Sequence, residues 1–566
     1  MTILRKEWIY VFFIAIISFF LVSDLFLSSG QQATFDGRMH TTIIAQFTRA
    51  FREGEVRVTW ADGFANYGMP MPLIHQQVTS YLGGFINLFI DNVILTTNVV
   101  YLLGAFLSCL FLYIFLRCYV DPESALLGVF LFNFTSYRIF NIYTRGALPE
   151  FFASVFLPLI LFSLYMLVKK NKIYAFFLLT ISFTLLALTH PFLVIIFSPL
   201  IIMYSTFLLY ESKKRFLCLG LLGFAATISI GLASFYLLPL YKEAKYFYYG
   251  QSSIHLMPDQ FLGVVNYISP HWYYFYQDSP LVRGNFISFG LIESLVLLAG
   301  VSFAIYCVFC KKIKGNIFIF VLLGIAFVLI LLTLPIADGL YRHVSFLSNI
   351  QHPWRMLSAL IFIPPILLAI LVAQLPQRVR IGTIVSIIVV ISFLRFPQIY
   401  TKNSMHITQA DYYFTKDNVA AVVLNPIWTG LAEEYPRKPE KIGIIHGEGS
   451  ISNKILKNSM RTFTINAKTP VELVDYTFYF PGWNVLVDNK PTTIEYQNPN
   501  YRGVITYSVA QGTHVIKEQF QNTKIRSLGV GISVISLLVF FILFFLQKTL
   551  LKITIYAFSR MLIKDS

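Results

Sequence analysis

The sequence predicts a polytopic α-helical membrane protein with a β-sandwich-like domain near its C-terminus and a final transmembrane helix. Three observations predict it. The chain is 56% hydrophobic and 13% charged, with a mean hydropathy of +0.66, whereas soluble domains carry about a quarter charged residues. About twelve apolar stretches approach the roughly 20 residues needed to cross a bilayer. From 397 to 526 the pattern changes to strand-like alternation. The net charge of +16 does not point to nucleic acid, because the lysines and arginines cluster in short loops between apolar runs, as orientation signals do.

Arg5 and Lys6 precede the first apolar run, Trp8 to about Ser29. It exceeds the about 7–15 residues of a signal-peptide core and reads as a retained signal-anchor. Further spans are expected near 96–117, 122–141, 150–168, 173–189, 191–210, 216–240, 287–309, 316–335, 356–375, 381–396 and 527–547. Arg5/Lys6, Arg117, Lys169/Lys170/Lys172, Lys213/Lys214/Arg215, Lys311/Lys312/Lys314, Arg378/Arg380 and Lys548/Lys552 all fall on one side. By the positive-inside rule that side is the cytoplasm, which places both termini there. The loops 30–95, 141–149, 241–286 and 336–355, the His190-Pro191 turn and residues 397–526 then face outward. Asp36, His40, Arg145, Glu150, His190, Asp338, Arg342, His352 and Arg355 gather on that outer face.

The first outer loop reads as an interfacial helix. Asp36, His40, Ile43, Ile44, Phe47 and Phe51 recur at helical spacing, and Gly54 follows as a C-terminal stop. Leu73 to Ile90 reads as a partly embedded helix, because a full span there would invert every later loop. Beyond 397, strands are expected at 461–467, 471–480, 484–487, 492–496, 503–509 and 514–520, divided by Pro-Gly, Asp-Asn, Asn-Pro-Asn and Gln-Gly turns. The domains are thus 1–396 transmembrane with outer loop 30–95, 397–526 extracytoplasmic and β-rich, and 527–566 a last helix with its tail. None of the five cysteines lies in the β-rich part, and Cys307-x-x-Cys310, which closes an apolar span, reads as a packing pair.

Asp36 leads the candidates for chemistry. A carboxylate at the start of an outer helix can deprotonate an acceptor hydroxyl or hold a cation, and it can equally serve as a helix N-cap. His40 lies one turn further on the same face. Arg145 in Arg145-Gly146-Ala147-Leu148-Pro149-Glu150 suits a phosphate through its planar fork, or a salt bridge to Glu150. Gln351-His352-Pro353-Trp354-Arg355 places a second arginine at membrane depth, beside a tryptophan suited to the aromatic belt. Asp24 and Glu293 are the few acids deep in spans. Thr189-His190-Pro191 lacks metal-ligand spacing, and no Gly-rich phosphate loop or Ser-His-Asp signature is visible.

An Asp beyond the first span, Trp60 with Gly68-Met69-Pro70, Arg145-Gly-Ala-x-x-Glu150 and Pro353-Trp354-Arg355, in that order, resemble the bacterial membrane proteins labelled 6-pyruvoyl-tetrahydropterin-synthase-related. That family is similar to the GT-C class of membrane glycosyltransferases, and nothing here resembles the soluble pterin enzyme. Glu434-Tyr435-Pro436 and Tyr479-Phe480-Pro481-Gly482-Trp483 through Asp488 extend the resemblance to the outer domain. It implies a GT-C-like fold in a bacterial cytoplasmic membrane and a role in the cell envelope. The donor would be a polyprenyl-phosphate-linked sugar, and the acceptor a glycan, lipid or protein. The acid of the first outer loop matches Asp36, with His40 beside it. Arg145, Glu150, His190, His352, Arg355 and Trp60 are then candidate substrate contacts, with no metal ligand or cofactor assigned. One departure stands out: Ile74-His75-Gln76-Gln77 replaces the aromatic-proline stretch that often follows Gly-x-Pro.

Two other classes fit the same sequence. A lipid-linked glycan transporter or flippase predicts ionisable groups deep in several spans. A non-catalytic envelope assembly protein predicts that Asp36 is replaceable by Asn.

Overall fold

Uninterrupted apolar runs form helices because a backbone in hydrocarbon must satisfy its own hydrogen bonds. The computed structural model describes residues 7–248, 260–269, 287–344, 347, 350, 352–401, 403–415, 424–430 and 438–564, with backbone only over 548–564. Arg5, Lys6, Gln351, the Glu434-Tyr435-Pro436 motif, most of loop 241–286 and the side chains of Lys548 and Lys552 lie outside the described residues.

Ten helices among the described residues are long and apolar enough to cross a membrane, from Trp8–Leu27 to Lys524–Gln547. A pair bent by 42°, Pro122–Asn133 with Ser136–Arg145, forms an eleventh candidate, and the shorter apolar helix Tyr174–Thr189 occupies the remaining expected segment. The positions match the twelve read from hydropathy. Two deep acids are satisfied internally. Glu293 and Arg395 are 0% and 1% exposed and meet at 2.6 Å, and the Ser136 amide donates to the same carboxylate. Asp24 accepts from the Ser28 hydroxyl and the Thr401 amide.

The loop after the first helix forms Gly37–Arg52 as expected, followed by Gly54 at φ +88°. Its setting differs from the expectation of an interfacial helix. His40 to Thr48 are buried throughout, because the helix Gln77–Ile90 covers one side and residues 409–415 the other. Gln46 donates to the Tyr412 and Tyr413 carbonyls. At Gly83 and Gly84 a Cβ would lie 2.7 Å from Ile44 and Phe47, so only glycine permits this approach. The apolar stripe marks a face against protein, where lipid headgroups had been expected.

Among the described residues, the C-terminal part contains two main antiparallel sheets. β1 (Gln31–Gln32) pairs with β2 (Ser404–Met405), tying the first loop to the chain just before this part. One main sheet has the order β4 (Gly449–Leu456), β5 (Met460–Ala467), β10 (Gly512–Phe520), β7 (Trp483–Val487) and β8 (Lys490–Thr492). The other has β3 (Ile442–His446), β6 (Val471–Phe478) and β9 (Val504–Val509). Phe463, Ile465 and Ile516 of the first share one core with Leu473, Ile505 and Tyr507 of the second, as in a sandwich. β3 and β4 were not expected, because β4 is a largely exposed edge strand with little apolar alternation. The strand expected at 492–496 is reduced to β8 and the isolated bridge Glu495–Thr506.

This sandwich is continuous with the first loop. Phe64 and Tyr67 share the core of Phe478 and Phe520, and Asp62 is ringed by Arg49 at 3.2 Å, Lys441 at 3.1 Å and Arg461. The last helix returns against Arg215–Glu243 through small residues, where a Cβ on Gly231 would meet Ser536 Oγ at 2.1 Å. Arg526 donates to Glu243 at 2.9 Å at its start.

Candidate functional site

The site begins with how Asp36 is held. Asp36 stands at the N-cap position of Gly37–Arg52, yet its side chain makes no capping bond. Thr34 Oγ1 accepts from the Gly37 amide instead, at 3.2 Å. The Phe35 and Asp36 amides donate to the carbonyls of Thr144 and Arg145, at 3.2 and 2.7 Å. This crossing needs glycine: Gly146 sits at φ +66°, and a Cβ there would lie 2.1 Å from Thr34 Oγ1. The Asp36 carboxylate therefore remains 40% exposed, with Oδ2 3.8 Å from Arg145 Nη2.

Arg145 ends the π-type turn Asn141–Arg145 after the bent helix. Its Nη1 donates to Asn141 Oδ1 at 3.0 Å and to Glu150 Oε2 at 2.7 Å, and its guanidinium lies 4.9 Å from the Trp354 ring centre. Glu150 is only 2% exposed, and its other oxygen accepts from the Tyr137 and Ser358 hydroxyls at 2.7 and 2.8 Å. Arg355 Nε approaches Glu150 Oε2, the oxygen bound by Arg145, at 3.8 Å. One buried acid is thus shared by two arginines from separate helices, the arrangement that makes burying such charges tolerable.

Histidines surround the pair. His352 stacks on Trp354 with ring centres 5.0 Å apart. His190 lies within electrostatic reach of Glu150, Arg355, Arg145 and His75. The Nδ1 atoms of His190 and His352 and the Tyr101 hydroxyl are buried and have no hydrogen-bond partner among the described residues. His40 Nδ1 lies 3.1 Å from His75 Nε2. Burial, followed by the fields of Arg145 and His190, lowers His40 to a pKa of about 3. Burial, followed by Arg355 and Arg145, brings His352 to about 3, and burial with His40 nearby places His75 well below the usual range. These imidazoles are neutral at pH 7 and act as hydrogen-bonding groups.

Seven of the eight residues singled out from sequence, Asp36, His40, Arg145, Glu150, His190, His352 and Arg355, come together here. Trp60 does not. It is fully enclosed against Trp483 and Phe520, at ring-centre distances of 5.2 and 4.9 Å, so it joins the first loop to the sandwich core. His75, Tyr137, Asn141 and Ser358 were missed. Tyr137 and Asn141 precede Arg145 at intervals of four, and Ser358 follows Arg355 by three, so helical spacing from each arginine was the available signal. His75 was visible only as part of Ile74-His75-Gln76-Gln77, the stretch that departs from the family pattern, with nothing in the spacing to pair it with His40. Among the described residues no group of three or more His, Cys, Asp or Glu side chains is arranged to hold a metal ion.

Residues 78–400 match the family model described as 6-pyruvoyl-tetrahydropterin synthase related domain, membrane protein. No curated protein matches. Among solved structures, the chain is similar to the Archaeoglobus fulgidus oligosaccharyltransferase in its apo form, at 12% identity and a TM-score of 0.42, over 76% of this chain and 61% of that one. The same enzyme in complex with Zn and sulfate gives 13% identity and a TM-score of 0.37, over 76% and 59%. The match therefore spans less than two thirds of the archaeal chain.

Proposed function

This chain belongs to the family of 6-pyruvoyl-tetrahydropterin synthase related membrane proteins, and from that premise we propose that it is a GT-C-type glycosyltransferase. It moves a sugar from a polyprenyl-phosphate carrier to an acceptor hydroxyl on the extracytoplasmic face of a bacterial cytoplasmic membrane. One observation carries the reading: Asp36 is released from capping by Thr34, remains exposed and faces Arg145, whose other side is balanced by Glu150. The lysine- and arginine-rich loops at 169–172 and 213–215 lie at the opposite helix ends in sequence order, which supports an outward-facing site.

In this reading Asp36 takes the proton of the acceptor hydroxyl as its oxygen bonds to the anomeric carbon. The bond from that carbon to the carrier phosphate oxygen breaks, and the electron pair leaves with the phosphate. Arg145 and Arg355 against Glu150 leave one positive charge, and Asp36 loses its negative charge on protonation. The site thus becomes more positive as charge builds on the departing phosphate, the condition for stabilising a transition state more than the ground state. The flippase reading asks for deep acids available to a cargo, whereas Asp24 and Glu293 are both partnered within the fold.

The test places Asp36→Asn in a strain lacking the native gene and compares surface glycans and lipid-linked sugars by mass spectrometry at matched protein levels. Lost glycan with donor accumulating on the outer leaflet is the expected result. Unchanged glycan from the variant, beside a defect in the full deletion, would overturn the mechanism, and donor trapped on the inner leaflet would indicate a flippase.

A further inference from the structure

His40 and His75 come from different segments of the first loop, yet His40 Nδ1 and His75 Nε2 are 3.1 Å apart and both rings are buried. Which ring owns the shared hydrogen follows from the atoms behind His75. Its Nδ1 lies 3.3 Å from the Gln76 carbonyl oxygen and 3.2 Å from the Ser80 hydroxyl oxygen. A carbonyl can only accept, and Ser80 donates its single proton to that same carbonyl at 2.6 Å. Both neighbours therefore accept from His75, so its Nδ1 carries a hydrogen. Since burial keeps this ring neutral, its Nε2 is a bare acceptor. The hydrogen between the rings then belongs to His40 Nδ1, and the His40 lone pair lies on Nε2. With Nδ1 committed to His75, Nε2 is the atom left for a ligand, and Arg145 is the charged neighbour whose field acts on this ring.

We propose that His75 is a positioning residue that locks His40 in the Nδ1–H tautomer, so that His40 Nε2 accepts a hydrogen bond from a second hydroxyl of a polyhydroxylated acceptor, beside the hydroxyl bound by Asp36. The spacing suits this. Asp36 and His40 are one helical turn apart, about 5–6 Å between Cβ atoms, a span that two neighbouring sugar hydroxyls bridge. The acceptor half rests on the transferase reading, whereas the tautomer half stands without it.

The experiment uses full-length protein in lipid nanodiscs, labelled with nitrogen-15 at histidine, with the His40 signals assigned by their loss in His40→Gln. Wild type is expected to show a protonated Nδ1 and a bare Nε2 on His40. His75→Gln, whose side-chain carbonyl can still accept, retains that pattern. His75→Leu, or His75→Ala if the leucine variant does not fold, moves His40 toward the Nε2–H form while the other histidine signals stay in place. In the complementation strain, surface glycan falls about tenfold with His75→Leu or His75→Ala and is preserved with His75→Gln, on the scale of one lost hydrogen bond. An unchanged His40 tautomer in both non-accepting variants, or Nε2–H in wild type, would overturn the lock. A switched tautomer with undiminished glycan would overturn the acceptor half. If the full deletion itself changes no glycan, the transferase reading fails, and the nitrogen signals decide the lock alone.

Discussion

Asp36 and Arg145 are joined twice: the Asp36 amide donates to the Arg145 carbonyl at 2.7 Å, and the Asp36 carboxylate lies 3.8 Å from the Arg145 guanidinium. The first contact fixes the backbone, so the second needs little side-chain ordering. A carboxylate that is positioned but still exposed suits an incoming substrate better than a closed ion pair. Glu150 is the contrast, enclosed and saturated by Arg145, Tyr137 and Ser358.

Asp36→Asn separates chemistry from stability. The backbone anchor and the Thr34 cap are unaffected, so unfolding stability changes by about 0.5 kcal/mol or less. Transfer falls by roughly 10²–10⁴ if the carboxylate is the base. Thermal melts in detergent beside the glycan assay check both, and a melt as depressed as the activity would assign Asp36 to structure alone.

Gly146→Ala acts the opposite way. The residue holds φ +66°, and its new methyl would face Thr34 Oγ1 at 2.1 Å, so the loop must move off the Arg145 turn. A loss of about 1–3 kcal/mol is expected, with a displaced Asp36 and reduced transfer. Thermal melts together with protease cutting within residues 28–36 read the outcome. Cutting at the wild-type rate would show that the crossing tolerates a side chain.

Glu150→Gln leaves two buried guanidiniums without the acid they share. Removing one member of such a group costs about 3–5 kcal/mol, because the remaining charges stay desolvated. The detergent melting temperature should fall far more than for Asp36→Asn. Equal melts would mean that the arginines are already solvated.

Asp62 carries a pH prediction. Burial alone would raise this carboxyl, but the fields of Lys441, Arg461 and Arg49 outweigh it and hold the pKa below the ordinary range. A depressed folded pKa gives stability that is fully present above the unfolded value of about 3.9 and is lost as pH falls through the folded one. The joint between loop and sandwich should therefore weaken only below about pH 4. Melting temperature followed from neutral to acidic pH checks this. Asp62→Asn should flatten that part of the profile and lower stability at pH 7, and a slope unchanged in the variant would assign it to other carboxylates.

Much of the architecture was legible because hydropathy and period act locally. Twenty apolar residues in a row announce a span wherever they pack, and the alternation in β5, buried at every second position, announces a strand with one covered face. β4 escaped because an exposed edge strand needs no apolar alternation. The helix Gly37–Arg52 was read correctly as amphipathic, but amphipathicity does not specify what covers the apolar face.

The sequence by itself determined a membrane chain with about twelve spans, a β-rich C-terminal part and ionisable residues gathered at one set of helix ends. Only the tertiary structure decided that Thr34 caps in place of Asp36, that Glu150 lies between Arg145 and Arg355, that His75 backs His40, and that Trp60 belongs to the sandwich core. The physical reason is range. Burial pattern and charge bias are set by neighbours a few positions away. A hydrogen bond between residues 35 apart, or an acid shared by helices about 200 positions apart, exists only after packing has brought those backbones to within a few ångströms.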